Sequence, residues 1–150
     1  MSKKKSIAKV SFEFFPPRTP KGMEKLRDTG KSLLPFNPEY FSVTFGAGGS
    51  TQETTKTTII DLKKHFKVPV TPHISCISST KAELRSMLNY YKDQDITSLV
   101  ALRGDLPPGT QPSGELQYAT DLVKFIKDEM GDHFSISVGA YPEFHPEAEN

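Results

Sequence analysis

Val70-Thr71-Pro72-His73-Ile74-Ser75-Cys76, followed after Ile77-Ser78-Ser79 by Thr80-Lys81-Ala82-Glu83-Leu84, is the stretch on which the fold turns. Its first seven residues read as a strand, Val70–Cys76. Thr80 and Glu83 have capping-box spacing, in which each side chain serves the other's backbone N–H at a helix start. Beyond them Leu84, Met87, Leu88 and Tyr91 recur at i, i+3, i+4 and i+7, the apolar stripe of a helix. Strand, cap and helix thus follow one another directly.

The same unit recurs on both sides. Upstream, Val10–Phe15 is rich in β-formers and stops at Pro16-Pro17, which cannot continue a ladder. Met23, Leu26, Leu33 and Leu34 then mark a helix up to Pro35, although Gly30 weakens it. Tyr40–Gly46 reads as the second strand. Ser50 and Glu53 repeat the capping-box spacing and start a helix running to about Phe66, with Ile59, Leu62 and Phe66 on one face. Downstream, Ser98–Asp105 is a strand closed by Leu106-Pro107-Pro108-Gly109. A helix follows from about Glu115 to Met130, with Ala119, Leu122, Ile126 and Met130 facing inward, and Phe134–Tyr141 is the fifth strand. Such alternation implies parallel strands joined by right-handed helical crossovers.

Parity decides between an open sheet and a barrel. Ser11 and Glu13 lie opposite Phe12 and Phe14, and Ser42 and Thr44 opposite Phe41 and Val43. Thr71, His73 and Ser75 share a face in the third strand, and Ala101, Arg103 and Asp105 in the fourth. In the fifth, Ser135, Ser137, Gly139 and Tyr141 lie opposite Ile136 and Val138. One face is therefore expected to be small, polar or charged in all five strands. An open doubly wound sheet would bury Glu13, His73 and Arg103 under helices at a cost of several kcal/mol each, roughly, unless they were partnered. A barrel with a polar lumen removes that conflict. The fold class expected is α/β, a parallel (β/α)8 TIM barrel of which this chain carries about the first five strands and four helices. Closure needs eight strands and about 250 residues, so residues 10–150 are expected to be the first half of a catalytic barrel, incomplete without further strands. Residues 1–9 are expected to form a basic flexible tail.

Composition narrows the function classes. Nineteen basic against eighteen acidic residues leave a net charge of +1, and the one basic run is Lys3–Lys5, so no nucleic-acid partner is expected. The single cysteine, Cys76, has no partner for an intramolecular disulfide, and no signal-peptide pattern follows the first residues. No run approaches the roughly 18 apolar residues of a membrane span. The expectation is a soluble cytoplasmic protein with no membrane attachment.

Ligands of β/α barrels sit at the carboxyl ends of the strands, where the unusual side chains of this chain fall. Glu13 lies within Ser11-Phe-Glu-Phe-Phe-Pro-Pro17. An apolar wall raises a carboxyl pKa and makes a general acid, whereas pairing with a neighbouring arginine would make the same group structural. Gly46-Ala47-Gly48-Gly49 between strand and helix has the geometry of an anion cradle, but it matches neither the Rossmann nor the Walker pattern, and a tight turn is the favoured explanation of the glycines, without any ligand. Thr44 is an inward hydroxyl. His73 has no second His or Cys at metal-ligand spacing, so a hydrogen-bonding role is expected and no metal. Arg103-Gly104-Asp105 sets a cation, a close-approach glycine and an anion at one strand end, suited to a phosphate and to a charge beside a reacting ring. Tyr141 to Ala148 ends the fifth strand with a stacking ring and a histidine, or is a rigid turn.

Together, Ser11–Pro17, Val43–Thr51, Pro72-His73, Ala101–Asp105 with Pro107-Pro108, and Tyr141–Ala148 resemble the methylenetetrahydrofolate reductase family, from the first strand to the last residue. The resemblance implies a homo-oligomeric barrel enzyme with FAD. In it NADH or NADPH reduces the flavin and leaves, and methylenetetrahydrofolate then takes the hydride to become methyltetrahydrofolate, a ping-pong scheme of one-carbon and methionine metabolism. It further implies that Glu13 protonates the folate as its five-membered ring opens to an iminium, and that Asp105 lies between flavin and pterin. Both would be catalytic and substrate-binding. Flavin contacts are implied for Thr44, Phe45, His73, Arg103, Gly104, Asp105, Tyr118, Ala119, Tyr141, His145 and Ala148. Phe45 stands where relatives often carry Tyr or Trp, which leaves it a ring or backbone contact. The 150-residue chain alone is expected to have little or no reductase activity. The alternatives are a non-catalytic interaction module built on a truncated barrel, and a different pterin or flavin barrel, such as a pterin-binding methyltransferase or a proline dehydrogenase-like oxidase.

Overall fold

Thr19 starts the first helix because its hydroxyl accepts the Gly22 N–H at 3.1 Å, with Pro20 at the first helical position where no amide is needed. The computed structural model describes residues 9–45, 49–106, 109, 111–140 and 143. Its elements run β1 (Phe12–Phe14), α1 (Pro20–Leu33), a 3-10 turn (Leu34–Phe36), β2 (Phe41–Val43), α2 (Gly49–His65), β3 (Val70–Ser75), α3 (Lys81–Asp93), β4 (Ser98–Leu102), α4 (Ala119–Met130) and β5 (Ser135–Val138). The strands form one sheet in the order β1-β2-β3-β4-β5, with parallel pairing at β1–β2, β2–β3 and β4–β5. Strands in sequence order, parallel and alternating with helices, are a partial (β/α)8 barrel. No helix among the described residues is long and apolar enough to cross a membrane.

Among the described residues every strand ends earlier than expected, at Phe14, Val43, Ser75, Leu102 and Val138, and β1, β2 and β5 also begin one or two residues later. Where the sequence pattern gives only a helix ending at Pro35, a 3-10 turn follows α1; it closes on Asn37, whose φ of 50° places it in the left-handed region. The larger correction concerns α4, which begins at Ala119 and not near Glu115. Asp121 Oδ2 accepts the N–H groups of Tyr118 and Gln117 at 2.9 and 3.2 Å and fixes the helix start there. Glu115 is engaged elsewhere: its carboxylate accepts the Lys81 N–H at the start of α3, at 2.7 Å.

The chain divides into two compact units, Met1–His73 with Gln94–Ile96, and Ile74–Asp93 with Thr97–Asn150. In the first, Phe14 meets Phe41 edge to face at 5.2 Å, and Phe41 meets Phe66 likewise at 5.6 Å. Gly30 has its reason here. A Cβ on it would lie 2.7 Å from Cζ of Phe66, so the absence of a side chain lets the ring lie against α1. Gly30→Ala gains about 1 kcal/mol of helix propensity but forces about 1–3 kcal/mol of overpacking, and a net loss of stability is expected in thermal melts. A stabilised variant would show that the ring is free to move away.

In the second unit the expected stripe of α3 is buried at all four positions, Leu84, Met87, Leu88 and Tyr91. Its capping box forms as expected: Glu83 Oε2 accepts the Thr80 N–H at 2.8 Å and the Thr80 hydroxyl accepts the Glu83 N–H at 3.2 Å. On α4, Leu122 and Ile126 are buried with Phe125, while Ala119 and Met130 are only half-buried.

Register partners in a parallel sheet present side chains to the same face. Glu13 pairs with Ser42 and Ser42 with Thr71, so the expected polar face is continuous across β1, β2 and β3. The expectation fails at β5. Leu99 pairs with Ile136 and Ala101 with Val138, so Ser135 and Ser137 share a face with Ser98 and Val100 and not with Ala101.

Candidate functional site

Glu13 sits in the middle of β1, and the next backbone bond, Thr44 N–H to Phe14 O at 3.0 Å, joins the ends of β1 and β2. The register sets Glu13 beside Ser42 and Thr71, and His73 falls two residues beyond Thr71 on that face. Glu13 Oε2 lies 3.4 Å from His73 Nε2, with the imidazole nearly buried and the carboxylate half-exposed. Glu13 thus meets a histidine, not the arginine expected of a structural pair.

Burial pushes the His73 pKa below its usual value and outweighs the Glu13 charge, which acts to raise it. The imidazole is therefore neutral at pH 7 and sets no fixed cation against the carboxylate. Because the folded pKa lies below the unfolded value of about 6.5, the ring costs nothing above that pH. As the pH falls through it the unfolded chain binds a proton more readily, and stability declines until the folded pKa is passed. Between about pH 7 and pH 5 the melting temperature of the parent should fall more steeply than that of His73→Gln. Equal slopes would mean that the ring protonates as readily in the fold as outside it.

Thr44 and Phe45 are half-buried at the end of β2, and the Thr44 carbonyl accepts the Thr55 hydroxyl of α2 at 3.3 Å. Gly46 to Gly48 of the expected cradle lie outside the described residues, and α2 begins at Gly49.

In the second unit Arg103 and Gly104 extend β4 beyond its last ladder residue. The Arg103 guanidinium carbon lies 5.8 Å from the centre of the Tyr118 ring, a cation–π distance. Gly104 has φ +89°, and a Cβ there would strike the Ser75 hydroxyl and approach Cγ2 of Ile77 to 3.1 Å. Both conformation and space demand glycine. Asp105 is exposed. Arg103, Tyr118, Ala119 and Val138 line a cavity of about 250 Å³. The structure thus brings Glu13 to His73, and Arg103 to Tyr118 and Ala119. Tyr141, His145 and Ala148 lie outside the described residues.

Sequence reasoning misses the part played by Ser75 and Cys76. The Ser75 hydroxyl donates to the Arg103 carbonyl at 2.8 Å, and the buried Cys76 thiol lies 3.7 Å from that oxygen and 3.5 Å from the Tyr118 carbonyl. Burial raises the thiol pKa, so it is a neutral S–H donor. Only their place just after His73 could have drawn notice. Among the described residues, no group of three or more His, Cys, Asp and Glu side chains is placed to hold a metal ion.

Comparison with known proteins places these residues in context. The family described as Methylenetetrahydrofolate reductase matches residues 1–150. The 5,10-methylenetetrahydrofolate reductases of Salmonella typhimurium and Escherichia coli are each 44% identical over 142 residues, covering 94% of this chain and 46% of theirs. Methylenetetrahydrofolate reductase (NADH) 1 of Arabidopsis thaliana is 36% identical over 141 residues, 91% of this chain and 24% of its own length. The chain spans about half the length of the bacterial relatives it matches.

Proposed function

The chain belongs to the methylenetetrahydrofolate reductase family, and on that premise we propose that it supplies the first part of a flavin site at which methylenetetrahydrofolate is reduced to methyltetrahydrofolate. The donor is NADH or NADPH, the scheme is ping-pong, and the setting is a cytoplasmic homo-oligomer. Glu13 is the proton donor. The observation that carries this is its place beside His73: the carboxylate is reachable from solvent on the polar face, and its neighbour is a ring kept neutral by burial.

The residues of the second unit fit a flavin. Gly104 offers bare backbone where a side chain has no room, so a flat ring can approach the chain closely. Arg103 brings a guanidinium for a phosphate or ring oxygen. At about 250 Å³ the cavity beside Tyr118 and Ala119 falls below the ~300–1,000 Å³ of ligand pockets, so it would take one portion of the dinucleotide. When bound, FAD would carry the hydride from the nicotinamide donor to the folate. Glu13 would deliver its proton to the folate nitrogen released as the five-membered ring opens. Asp105 would place a negative charge between the two ring systems. Thr44, Phe45, His73, Tyr141, His145 and Ala148 complete the proposed flavin contacts.

Protein expressed from its complete reading frame should purify with the visible absorbance of a flavin. NADH or NADPH should bleach that absorbance without air, and methylenetetrahydrofolate should restore it. Protein that neither retains FAD nor takes it up on titration would refute the proposal.

A further inference from the structure

The carbonyl of Arg103 is held more firmly than a strand end requires. It accepts the Ile77 N–H at 2.9 Å, just past the ends of β3 and β4, and also the Ser75 hydroxyl at 2.8 Å. The Cys76 thiol lies 3.7 Å from it. One backbone bond would satisfy the group; a second strong donor on its remaining lone pair fixes its direction as well. Because the peptide is planar and trans, a carbonyl turned to the end of β3 sends the Gly104 N–H to the opposite side of the chain.

Cys76 adds a second link. Its thiol also lies 3.5 Å from the Tyr118 carbonyl, so one buried S–H stands between Arg103, beyond β4, and Tyr118, just before α4. Those two segments are separate walls of the 250 Å³ cavity. The end of β3 thus ties the two walls together, beside the bond from the Gly114 N–H to the Ile77 carbonyl that holds down the connection between them.

Resting on the flavin reading above, we propose that Ser75 and Cys76 are positioning residues of the flavin site. Ser75 pins the Arg103–Gly104 peptide so that its amide faces away from β3, and Cys76 sets the separation of the Arg103 and Tyr118 walls.

The test is titration of FAD into flavin-free protein expressed from its complete reading frame, followed by flavin fluorescence, with visible circular dichroism of the bound flavin and thermal melting alongside. Ser75→Ala should weaken FAD binding about tenfold and alter the visible dichroism, while Ser75→Thr, which keeps the hydroxyl, stays near the parent. Cys76→Ala should lose about threefold and Cys76→Ser less, since thiols are weak donors. Should Ser75→Ala fail to fold, the Cys76 pair decides the same question. Parent protein that binds FAD, with Ser75→Ala and Cys76→Ala binding it equally well and with unchanged dichroism, overturns this proposal alone. Parent protein that binds no FAD overturns the flavin reading and this proposal with it.

Discussion

Glu13→Gln is expected to slow folate reduction by about 10²–10⁴-fold, the usual contribution of a positioned general acid. Glutamine keeps the size and polarity of the side chain but has no acidic proton to give. The two half-reactions separate this effect from a structural one. Bleaching of the flavin by NADH or NADPH involves no proton from Glu13 and should proceed at nearly the parent rate, while reoxidation by methylenetetrahydrofolate carries the whole loss. The neighbouring ring gives an independent check. Glu13 is the charge that raises the His73 pKa against burial, so its removal should hold the imidazole neutral to lower pH still. An active Glu13→Gln enzyme would end the acid assignment.

The second large effect is Gly104→Ala, with an expected loss of about 2–4 kcal/mol in denaturant unfolding, from left-handed backbone strain and overpacking together. The new methyl would meet the Ser75 hydroxyl, which can turn away only by giving up the Arg103 carbonyl. Gly109→Ala is the control. Gly109 has a similar φ of +80° but nothing within 4 Å of a Cβ, so it bears the strain without the collision and should lose only about 1 kcal/mol. Equal losses at the two positions would show that the contact with Ser75 is cheap to relieve.

Much of this fold is legible in local sequence. The stripe of α3 and its capping box are contained within a dozen or so neighbouring residues, and burial agrees with them at each position. What escapes is set by distant partners. Glu115 has the look of a first-turn acid, yet it caps the helix starting at Lys81, a contact across 34 residues that no local pattern encodes. The two faces of β5 can be told apart from its own residues, but which face joins Ala101 depends on a register fixed by pairing with β4. The candidate site divides the same way. Glu13 and His73 are legible as polar residues on strands of apolar neighbours, whereas Ser75 and Cys76 act on backbone oxygens, and nothing in a residue's type announces that its partner is a carbonyl.

The connection from β4 to α4 has a practical consequence. Gly114 donates to the Ile77 carbonyl at 3.0 Å and has no room for a Cβ between the carbonyls of Cys76 and Ile77, so the strand-to-helix link is stitched down at that point. Gln111 to Ser113, immediately before it, are exposed. A fluorophore or short affinity tag spliced into that tripeptide should be carried without disturbing either helix, while the same graft a few residues later would unpick the seam.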